Sequence, residues 1–147
     1  MSWMSKTYES AVRLLARREH GAYELAQKLS QKGHPQGAIA EALLKCQDLG
    51  LQSDVRFVEL VCQSRIRQGY GPIRIRQELQ SKQIAGDLIE QGLEQQACWL
   101  RQAQDVYQKK YKACNDVSFQ MIQKQKQFLL YRGFPMDIIN QVFRDMN

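Results

Sequence analysis

The chain has 147 residues, 44% of them hydrophobic, which is enough to bury a core in one compact domain or in a short array of small ones. Its 21 lysines and arginines exceed its 15 aspartates and glutamates by six, so its surface should attract polyanions or an acidic protein face. No apolar run approaches the roughly 20 residues of a membrane span, which argues against an integral membrane protein.

The cysteines argue against a metal site. Cys46, Cys62, Cys98 and Cys114 show no CxxC spacing and no neighbouring histidine cluster, and three of them lie in apolar helical patterns. We therefore expect reduced thiols in the core. The N-terminus also lacks a signal-peptide core, so we expect a cytoplasmic protein.

The first third of the chain predicts three helices separated by glycine and proline. Apolar residues keep a helical period from about Lys6 to Arg18, and again from about Ala22 to Lys32. Gly21 breaks the first pattern, and Gly33 is well placed to end the second. Pro35 should begin the third helix at the first helical position, where its missing N–H costs nothing.

The rest of the chain repeats this pattern. In the middle third, Ser53 or Asp54 is placed to cap a helix, and Pro72 begins the next one after a glycine turn. In the last third the break falls at Asn115 and Asp116, whose side chains can cap the helix that follows. No segment shows the β-branched alternation of a strand, which favours an all-α fold.

Shifting the sequence by fifty positions superimposes three copies of this pattern. Apolar residues coincide in two sets, Leu29 with Leu79 and Leu129, and Ile39 with Ile89 and Ile139. A fixed period of this size indicates stacked units. We therefore predict an all-α fold of three tandem three-helix, helix-turn-helix-like repeats over residues 1–52, 53–96 and 97–147. Because such units bury little alone, we expect an elongated, curved array with a concave interaction face.

The sequence offers little for catalysis. His20 and His34 are its only imidazoles, and neither stands in a recognisable sequence relation to a nucleophile or a carboxylate. The glycine turn at residues 69–72 lacks the lysine and hydroxyl residue of a phosphate-binding loop, and no metal-ligand spacing occurs. We expect neither an enzyme nor a cofactor.

Basic side chains crowd two of the predicted turns. Arg17 and Arg18 end the first helix, and the middle repeat carries five more around Tyr70, namely Arg65, Arg67, Arg74, Arg76 and Lys82. Between residues 65 and 76 the arginines outnumber the carboxylates within reach in sequence, of which Glu78 is the nearest. Unpaired arginines at a turn are suited to phosphates or to the carboxylates of a partner protein.

A solvated face is the alternative for these basic residues. Arg74 lies four positions before Glu78, a spacing that gives an ordinary helix pair worth about 0.2–0.5 kcal/mol. Tyr70 can equally be a lid on the core. A second basic cluster at Lys109, Lys110, Lys112, Lys124 and Lys126 is expected to be solvated.

Several motifs together resemble the RecX family of bacterial recombination regulators. They are Leu14-Leu-Ala-Arg-Arg-Glu-His20 followed by Glu24-Leu-Ala-Gln-Lys-Leu29, then Asp54-Val-Arg-Phe57, Gly69-Tyr-Gly-Pro-Ile-Arg-Ile-Arg-Gln-Glu-Leu79 and Phe128-Leu-Leu-Tyr-Arg-Gly-Phe134. The match covers nearly the whole chain in order, and the middle motif is the most specific. Asp54 stands alone before Arg56 where many members carry an acidic pair, and Gln83 replaces a common glycine, which should alter local capping.

The resemblance implies three-helix repeats in a curved molecule that binds in the helical groove of the RecA filament on DNA. It also implies that binding suppresses RecA's ATP hydrolysis, strand exchange and assistance to LexA self-cleavage, with some affinity for single- and double-stranded DNA. We expect a monomer that does not bind membranes. The candidate contact residues are Arg17, Arg18, Arg65, Arg67, Tyr70, Arg74, Arg76 and Lys82.

Two other functions fit the same pattern. A three-helix unit with a basic helix after a glycine turn also describes a helix-turn-helix protein that binds DNA without RecA. A scaffold for some other acidic partner is the third reading.

Overall fold

The computed structural model describes residues 3–96 and 98–146, leaving aside the side chains of Trp3 and Met4. Over these residues the chain is helical, with no strand. The helices are α1 Trp3–Arg17, α2 Ala22–Gln31, α3 Gln36–Asp48, α4 Asp54–Arg67, α5 Pro72–Ser81, α6 Gly86–Glu94, α7 Trp99–Tyr111, α8 Phe119–Tyr131 and α9 Met136–Asp145. The predicted all-α class is confirmed.

The helix starts agree with the sequence to within a few residues. Pro72 is the first residue of α5, as predicted. Pro35 and Pro135 instead stand one position earlier, as extended N-caps of α3 and α9. Both roles avoid the interior of the helix, where proline would remove a backbone hydrogen bond.

The structure confirms one of the two predicted caps of α4 and corrects the predicted cap of α8. The Ser53 hydroxyl accepts from the backbone N–H of Arg56 at 3.2 Å, so Ser53 caps α4 and Asp54 is left for another partner. At α8 the cap is Ser118, whose hydroxyl accepts from the Met121 N–H at 3.2 Å. Asp116 accepts from the Ser118 N–H at 2.8 Å and thus stabilises the turn before the helix.

The second helix of each repeat ends in the same way. The N–H groups of His34, Ile84 and Phe134 donate to the carbonyls of Leu29, Leu79 and Leu129 over 3.1–3.2 Å. The residue before each donor is left-handed, with φ of 90° at Gly33, 58° at Gln83 and 99° at Gly133. This is the Schellman arrangement, which satisfies the last carbonyls of a helix.

The repeating apolar positions form the core. Leu29, Leu79 and Leu129 are fully buried, and the isoleucines at 39, 89 and 139 are nearly so. One cluster joins α1, α2 and α3 around Leu14, Leu25 and Leu29, and another joins α7, α8 and α9 around Ala103, Leu129 and Phe134.

The backbone contacts divide the chain into two compact units. The first unit comprises the residues up to Leu60 together with Leu79–Ile89, and the second comprises Val61–Glu78 together with the residues from Glu90 onward. The boundaries between the three repeats at residues 52 and 96 stay predictions.

The cysteines are all free, but only half of them belong to the core. Cys46 and Cys62 are buried, and burial raises the pKa of the Cys62 thiol to about 11, so it is protonated at neutral pH. Cys98 is exposed just before α7, and Cys114 is half-buried after it. The prediction of core thiols is therefore wrong for Cys98 and only partly right for Cys114.

Candidate partner-binding site

The eight predicted contact residues are distributed over both units. Arg17, Arg18 and Lys82 belong to the first unit, and Arg65, Arg67, Tyr70, Arg74 and Arg76 belong to the second. Their side chains fall into two kinds, those already engaged by a carboxylate and those that are not. This difference decides which of them a partner can bind without first breaking an ion pair.

In the first unit, Glu24 holds two of the predicted cations. Arg18 donates to both carboxylate oxygens over 2.8 and 3.0 Å, and Lys82 donates to one of them at 3.0 Å. The Glu24 side chain is only 8% exposed. Burial raises the pKa of this carboxyl, but the hydrogen bonds from Arg18 and Lys82 outweigh it and lower the pKa to about 2.

The Glu24 ion pairs change the interpretation of Arg18 and Lys82. Removing either cation would leave a buried carboxylate with one partner fewer, which is costly. Both side chains therefore stabilise the first unit. Arg17 is the exposed last residue of α1, and no ion pair among the described residues includes it.

In the second unit, two arginines are also paired. Arg65 donates to both oxygens of Glu78 over 2.6 and 2.8 Å, and Arg76 donates to both oxygens of Glu90 over 2.9 and 3.0 Å. The expectation that these arginines are unpaired is wrong for both. The sequence could not show the pairing of Arg76, because its partner Glu90 lies on α6 and comes close to Arg76 only when the chain folds.

Tyr70 in the turn before α5 and Arg74 in α5 form a stacked cluster with Tyr131, the last residue of α8, and Arg132, which follows it. The Arg74 guanidinium carbon lies 4.5 Å from the centre of the Tyr70 ring and 5.2 Å from that of Tyr131. The Arg132 guanidinium carbon lies 5.3 Å from the Tyr70 ring centre. We call these four residues the Tyr–Arg cluster. Arg74 and Arg132 each donate one N–H to a backbone carbonyl, those of Tyr131 at 3.3 Å and Gln68 at 2.9 Å. Stacking on the aromatic rings holds both guanidinium groups in position, and their other N–H groups can bind an anion.

The backbone explains why the Tyr–Arg cluster forms. Gly69, at φ +89°, ends α4, and the Gly71 N–H donates to the Arg132 carbonyl at 2.7 Å. The Ile73 N–H donates to the Gly133 carbonyl at 2.9 Å. These two bonds join the turn before α5 to the turn after α8, which brings Tyr70 and Arg74 beside Tyr131 and Arg132.

The Tyr–Arg cluster borders an open cleft of about 560 Å³. Its lining residues are Arg65, Gln68, Tyr70, Arg74, Ile75, Gln77 and Glu78. Three of the predicted contact residues, Arg65, Tyr70 and Arg74, thus share one concave surface. Arg67 is exposed on α4 and lines a different cleft, between α4, α7 and α8.

Sequence reasoning missed Tyr131 and Arg132. Both stand in the motif that ends at Phe134, where the apolar neighbours Leu130 and Phe134 give no sign of a contact surface. Tyr131 is 73% exposed, and Arg132 donates to the Gln68 carbonyl at 2.9 Å. The available signal was the repeat itself, since Tyr131-Arg132 occupies the turn equivalent to Ser81-Lys82.

The histidines have structural partners. The His34 ring nitrogen Nδ1 lies 2.8 Å from the Thr7 hydroxyl, a nucleophile that the sequence did not reveal, but Thr7 is fully buried and out of reach of a substrate. His20 is buried between the Arg18 carbonyl at 3.0 Å and Lys28 Nζ at 2.9 Å. Burial lowers the pKa of His20, so its Nε2 accepts from Lys28.

Among the residues described, no group of three histidines, cysteines or acidic side chains is arranged to hold a metal ion. None of the helices traced here is both long enough and apolar enough to span a bilayer.

Comparison with known proteins assigns the chain to a family. Three family profiles match in sequence order: the first three-helix domain of RecX over residues 8–46, the second over 53–93 and the third over 100–143. Two solved structures share the fold. The crystal structure of RecX from Lactobacillus salivarius has a TM-score of 0.86 at 24% identity and covers 97% of this chain and 96% of that one. A crystal structure of regulatory protein RecX has a TM-score of 0.82 at 22% identity and covers 97% and 72%.

Curated relatives match more closely in sequence. Regulatory protein RecX of Legionella pneumophila (strain Corby) is 51% identical over 144 residues, covering 97% of this chain and 96% of the relative. That of Pseudomonas savastanoi pv. phaseolicola is 39% identical over 134 residues, covering 90% and 86%. With all three domains present in order and relatives matched over most of their length, the chain belongs to the RecX family of regulatory proteins.

Proposed function

We propose that this chain is a cytoplasmic negative regulator of RecA that binds in the groove of the RecA–DNA filament. Binding there lowers RecA's ATP hydrolysis, strand exchange and assistance to LexA self-cleavage. The observation that carries the proposal is the match of all three RecX domains, in order, over most of the chain. The absence of any recognisable catalytic constellation in the sequence agrees with action by binding.

The mechanism we propose is a shift between filament states. A ligand changes an equilibrium only by as much as its affinities for the two states differ. Several weak contacts made at once by one chain add up to a strong preference. The chain thus favours a filament geometry that turns over ATP slowly and extends poorly.

The ion pairs divide the proposed contact residues. Six side chains form no ion pair among the described residues and can contact a partner directly. They are Arg17, Arg67, Tyr70 and Arg74, together with Tyr131 at the end of α8 and Arg132 after it. The other four cations are already paired with a carboxylate of this chain, namely Arg18, Arg65, Arg76 and Lys82. Each must break that ion pair before it can bind a carboxylate of the partner, so each contributes less net affinity. The Tyr–Arg cluster is therefore the proposed centre of the contact.

The test is RecA-dependent ATP hydrolysis on single-stranded DNA while the chain is titrated in. We expect the double variant Arg74→Ala, Tyr131→Ala to need about tenfold more protein for half-inhibition, because a loss of about 1.4 kcal/mol is tenfold in affinity. The single variant Arg76→Ala, whose guanidinium is held by Glu90, should change the titration less. Lys124→Ala, on the exposed side of α8, is the matched control and should inhibit like the wild type.

Inhibition that is unchanged in the double variant would remove the Tyr–Arg cluster from the contact. Circular dichroism of each variant checks that the helices are intact. Strand exchange by RecA, measured with the same titration, tests the function itself: no inhibition at any concentration would contradict it.

One observation favours a second function. Helix α5 follows a glycine turn and carries Arg74 on its surface, which is the arrangement of a helix-turn-helix protein that binds bare DNA. Such a protein would act without RecA. The salt dependence of DNA binding separates the two functions.

A further inference from the structure

The second unit contains another open cleft, of about 560 Å³, which no residue of α5 lines, although it shares Arg132 with the Tyr–Arg cluster. It lies between the end of α4, helix α7 and helix α8. Its lining residues are Ile66, Arg67, Gln68, Gly69, Gln102, Asp105, Val106, Lys109, Lys110, Phe128 and Arg132. We call it the α4–α7–α8 cleft. Its volume is within the range of about 300–1,000 Å³ that ligand-binding pockets occupy.

The cleft has an apolar floor. Ile66, Val106 and Phe128 are each half-buried, and the last two pack against the core cluster of α7, α8 and α9. A floor supported by the core keeps its shape, so an apolar group that enters it loses contact with water without a large rearrangement of the protein.

The rim of the cleft is cationic. Arg67, Lys109, Lys110 and Arg132 face a single acidic lining residue, Asp105, so the lining carries 4 − 1 = +3 charges. Arg67, Lys109 and Lys110 take part in none of the ion pairs found among the described residues. Clefts lined by one sign of charge concentrate ligands of the opposite sign.

The floor is less suited to a nucleotide base than to an apolar side chain. Single-stranded nucleic acid needs aromatic faces on which its bases stack. The centre of the Phe128 ring already lies 5.0 Å from the Arg132 guanidinium carbon, 5.5 Å from Lys110 Nζ and 5.6 Å from the centre of the perpendicular Tyr111 ring. The rest of the floor is aliphatic, from Ile66 and Val106.

We propose that the α4–α7–α8 cleft binds an acidic peptide segment of a partner protein. One apolar side chain of the segment enters the floor, and flanking carboxylates pair with Lys109, Lys110 and Arg67. This is the groove mode of peptide recognition, with an apolar anchor for affinity and charges for specificity. The inference does not depend on the identity of the partner in the proposed function.

The test measures fluorescence anisotropy of a short labelled peptide with a central leucine flanked by glutamates, mixed with the full chain. The variant Lys109→Glu, Lys110→Glu should lose at least about tenfold in affinity. Lys112→Glu, Lys124→Glu makes the same change in net charge outside the cleft and should lose less than about threefold. A second peptide with glutamine in place of the leucine should bind the wild-type chain about tenfold more weakly.

Three results would overturn the proposal. Equal losses in the two double variants would mean that only long-range charge is involved. Equal affinity for the leucine and glutamine peptides would show that the floor is unused, and this comparison needs no variant. Tighter binding of oligodeoxythymidine, with the same dependence on Lys109 and Lys110, would assign the cleft to nucleic acid instead.

Discussion

Glu24 shows how one buried carboxylate fixes two cations that the sequence alone would leave available. Its oxygens accept from Arg18 and Lys82, so the charge is compensated twice within the first unit. Compensation of this kind depresses the pKa of a carboxyl group, and a depressed pKa links stability to pH. Stability measurements can therefore test the role assigned to Glu24.

We predict that Glu24→Gln destabilises the chain at neutral pH by of the order of 2–3 kcal/mol. The pKa of Glu24 is about 2 in the folded chain against an ordinary value of 4.5. The stabilisation is therefore complete above about pH 4.5 and is lost as the pH falls towards 2. Urea unfolding at pH 7 and pH 3 checks this: the difference between wild type and variant should shrink at the lower pH.

The control for this experiment is Glu41→Gln, an exposed position on α3. Its stability should follow the wild type at both pH values. A Glu24→Gln variant whose deficit is the same at pH 7 and pH 3 would contradict the role of the two ion pairs.

Gln83 is the one non-glycine residue with positive φ among those described. It takes the position of Gly33 and Gly133 in the Schellman turns, at φ 58°, where a side chain costs about 1–2 kcal/mol. The hydrogen bond of the turn is kept, because the Ile84 N–H still donates to the Leu79 carbonyl at 3.2 Å. Replacing the common glycine by Gln83 therefore changes the backbone strain of this helix end and not its hydrogen bonding.

Replacing Gln83 by glycine should raise the free energy of unfolding by about 0.5–1 kcal/mol. The relief of strain exceeds the entropy that glycine adds to the unfolded chain, about 0.4–1 kcal/mol. Thermal unfolding measures the effect. Gln80→Gly, exposed inside α5, is the matched control and should lower stability by about 1 kcal/mol. Destabilisation by both variants would refute the strain at residue 83.

At the scale of the helices, the turn before α5 is defined by its packing against the turn after α8. A β-carbon added at Gly71 would lie 2.6 Å from the Gly133 carbonyl oxygen and 2.8 Å from the Phe134 nitrogen. Gly71 does not have a positive φ, so close approach of two backbones is what requires glycine here.

We predict that Gly71→Ala lowers the free energy of unfolding by about 2–3 kcal/mol, because backbone atoms cannot move aside as a flexible side chain would. Gly37→Ala is the control, since the added methyl group meets nothing within 4 Å and lies in α3. It should stabilise the chain by up to about 0.5 kcal/mol. Chemical denaturation of both variants gives the comparison, and equal stability of the two would contradict the contact.

The helices could be predicted from the sequence because their signals are local. Apolar spacing, glycine stops and prolines at helix starts all act within a few residues. These ion pairs were less accessible, because their partners come from distant positions: Arg76 pairs with Glu90, and Arg56 pairs with Glu19 at 2.8 Å. Likewise, the pairing of Arg74 with Tyr131 depends on which two turns meet, which no local pattern specifies.

For the molecule as a whole, the net charge and the number of cations left outside ion pairs predict different affinities for DNA. The chain carries a net charge of +6, but four of the seven predicted contact cations are already in ion pairs, leaving 7 − 4 = 3, namely Arg17, Arg67 and Arg74. Counting residues in the sequence could not make this distinction, although it did place the basic excess in the middle repeat.

We predict that binding to bare duplex DNA weakens with a slope of about −3 in log affinity against log salt, since each phosphate contact contributes about −0.9. The variant Arg67→Ala, Arg74→Ala should reduce the slope to about −1. Anisotropy titrations of a labelled duplex at several salt concentrations measure both. A slope of about −6 or steeper, with preference for one sequence, would favour the helix-turn-helix function that acts without RecA.

The start of α2 has no cap of its own, because Gly21 precedes it and offers no side chain. Asp54 fills this place, accepting from the Ala22 N–H at 2.8 Å, and Gln52 links the same carboxylate to the His20 carbonyl. During synthesis from the N-terminus, the Ala22 N–H therefore gains this partner only after the beginning of α4 has been made. A fragment cut after residue 52 would lack the Asp54 carboxylate, which should cost the start of α2 about 1 kcal/mol.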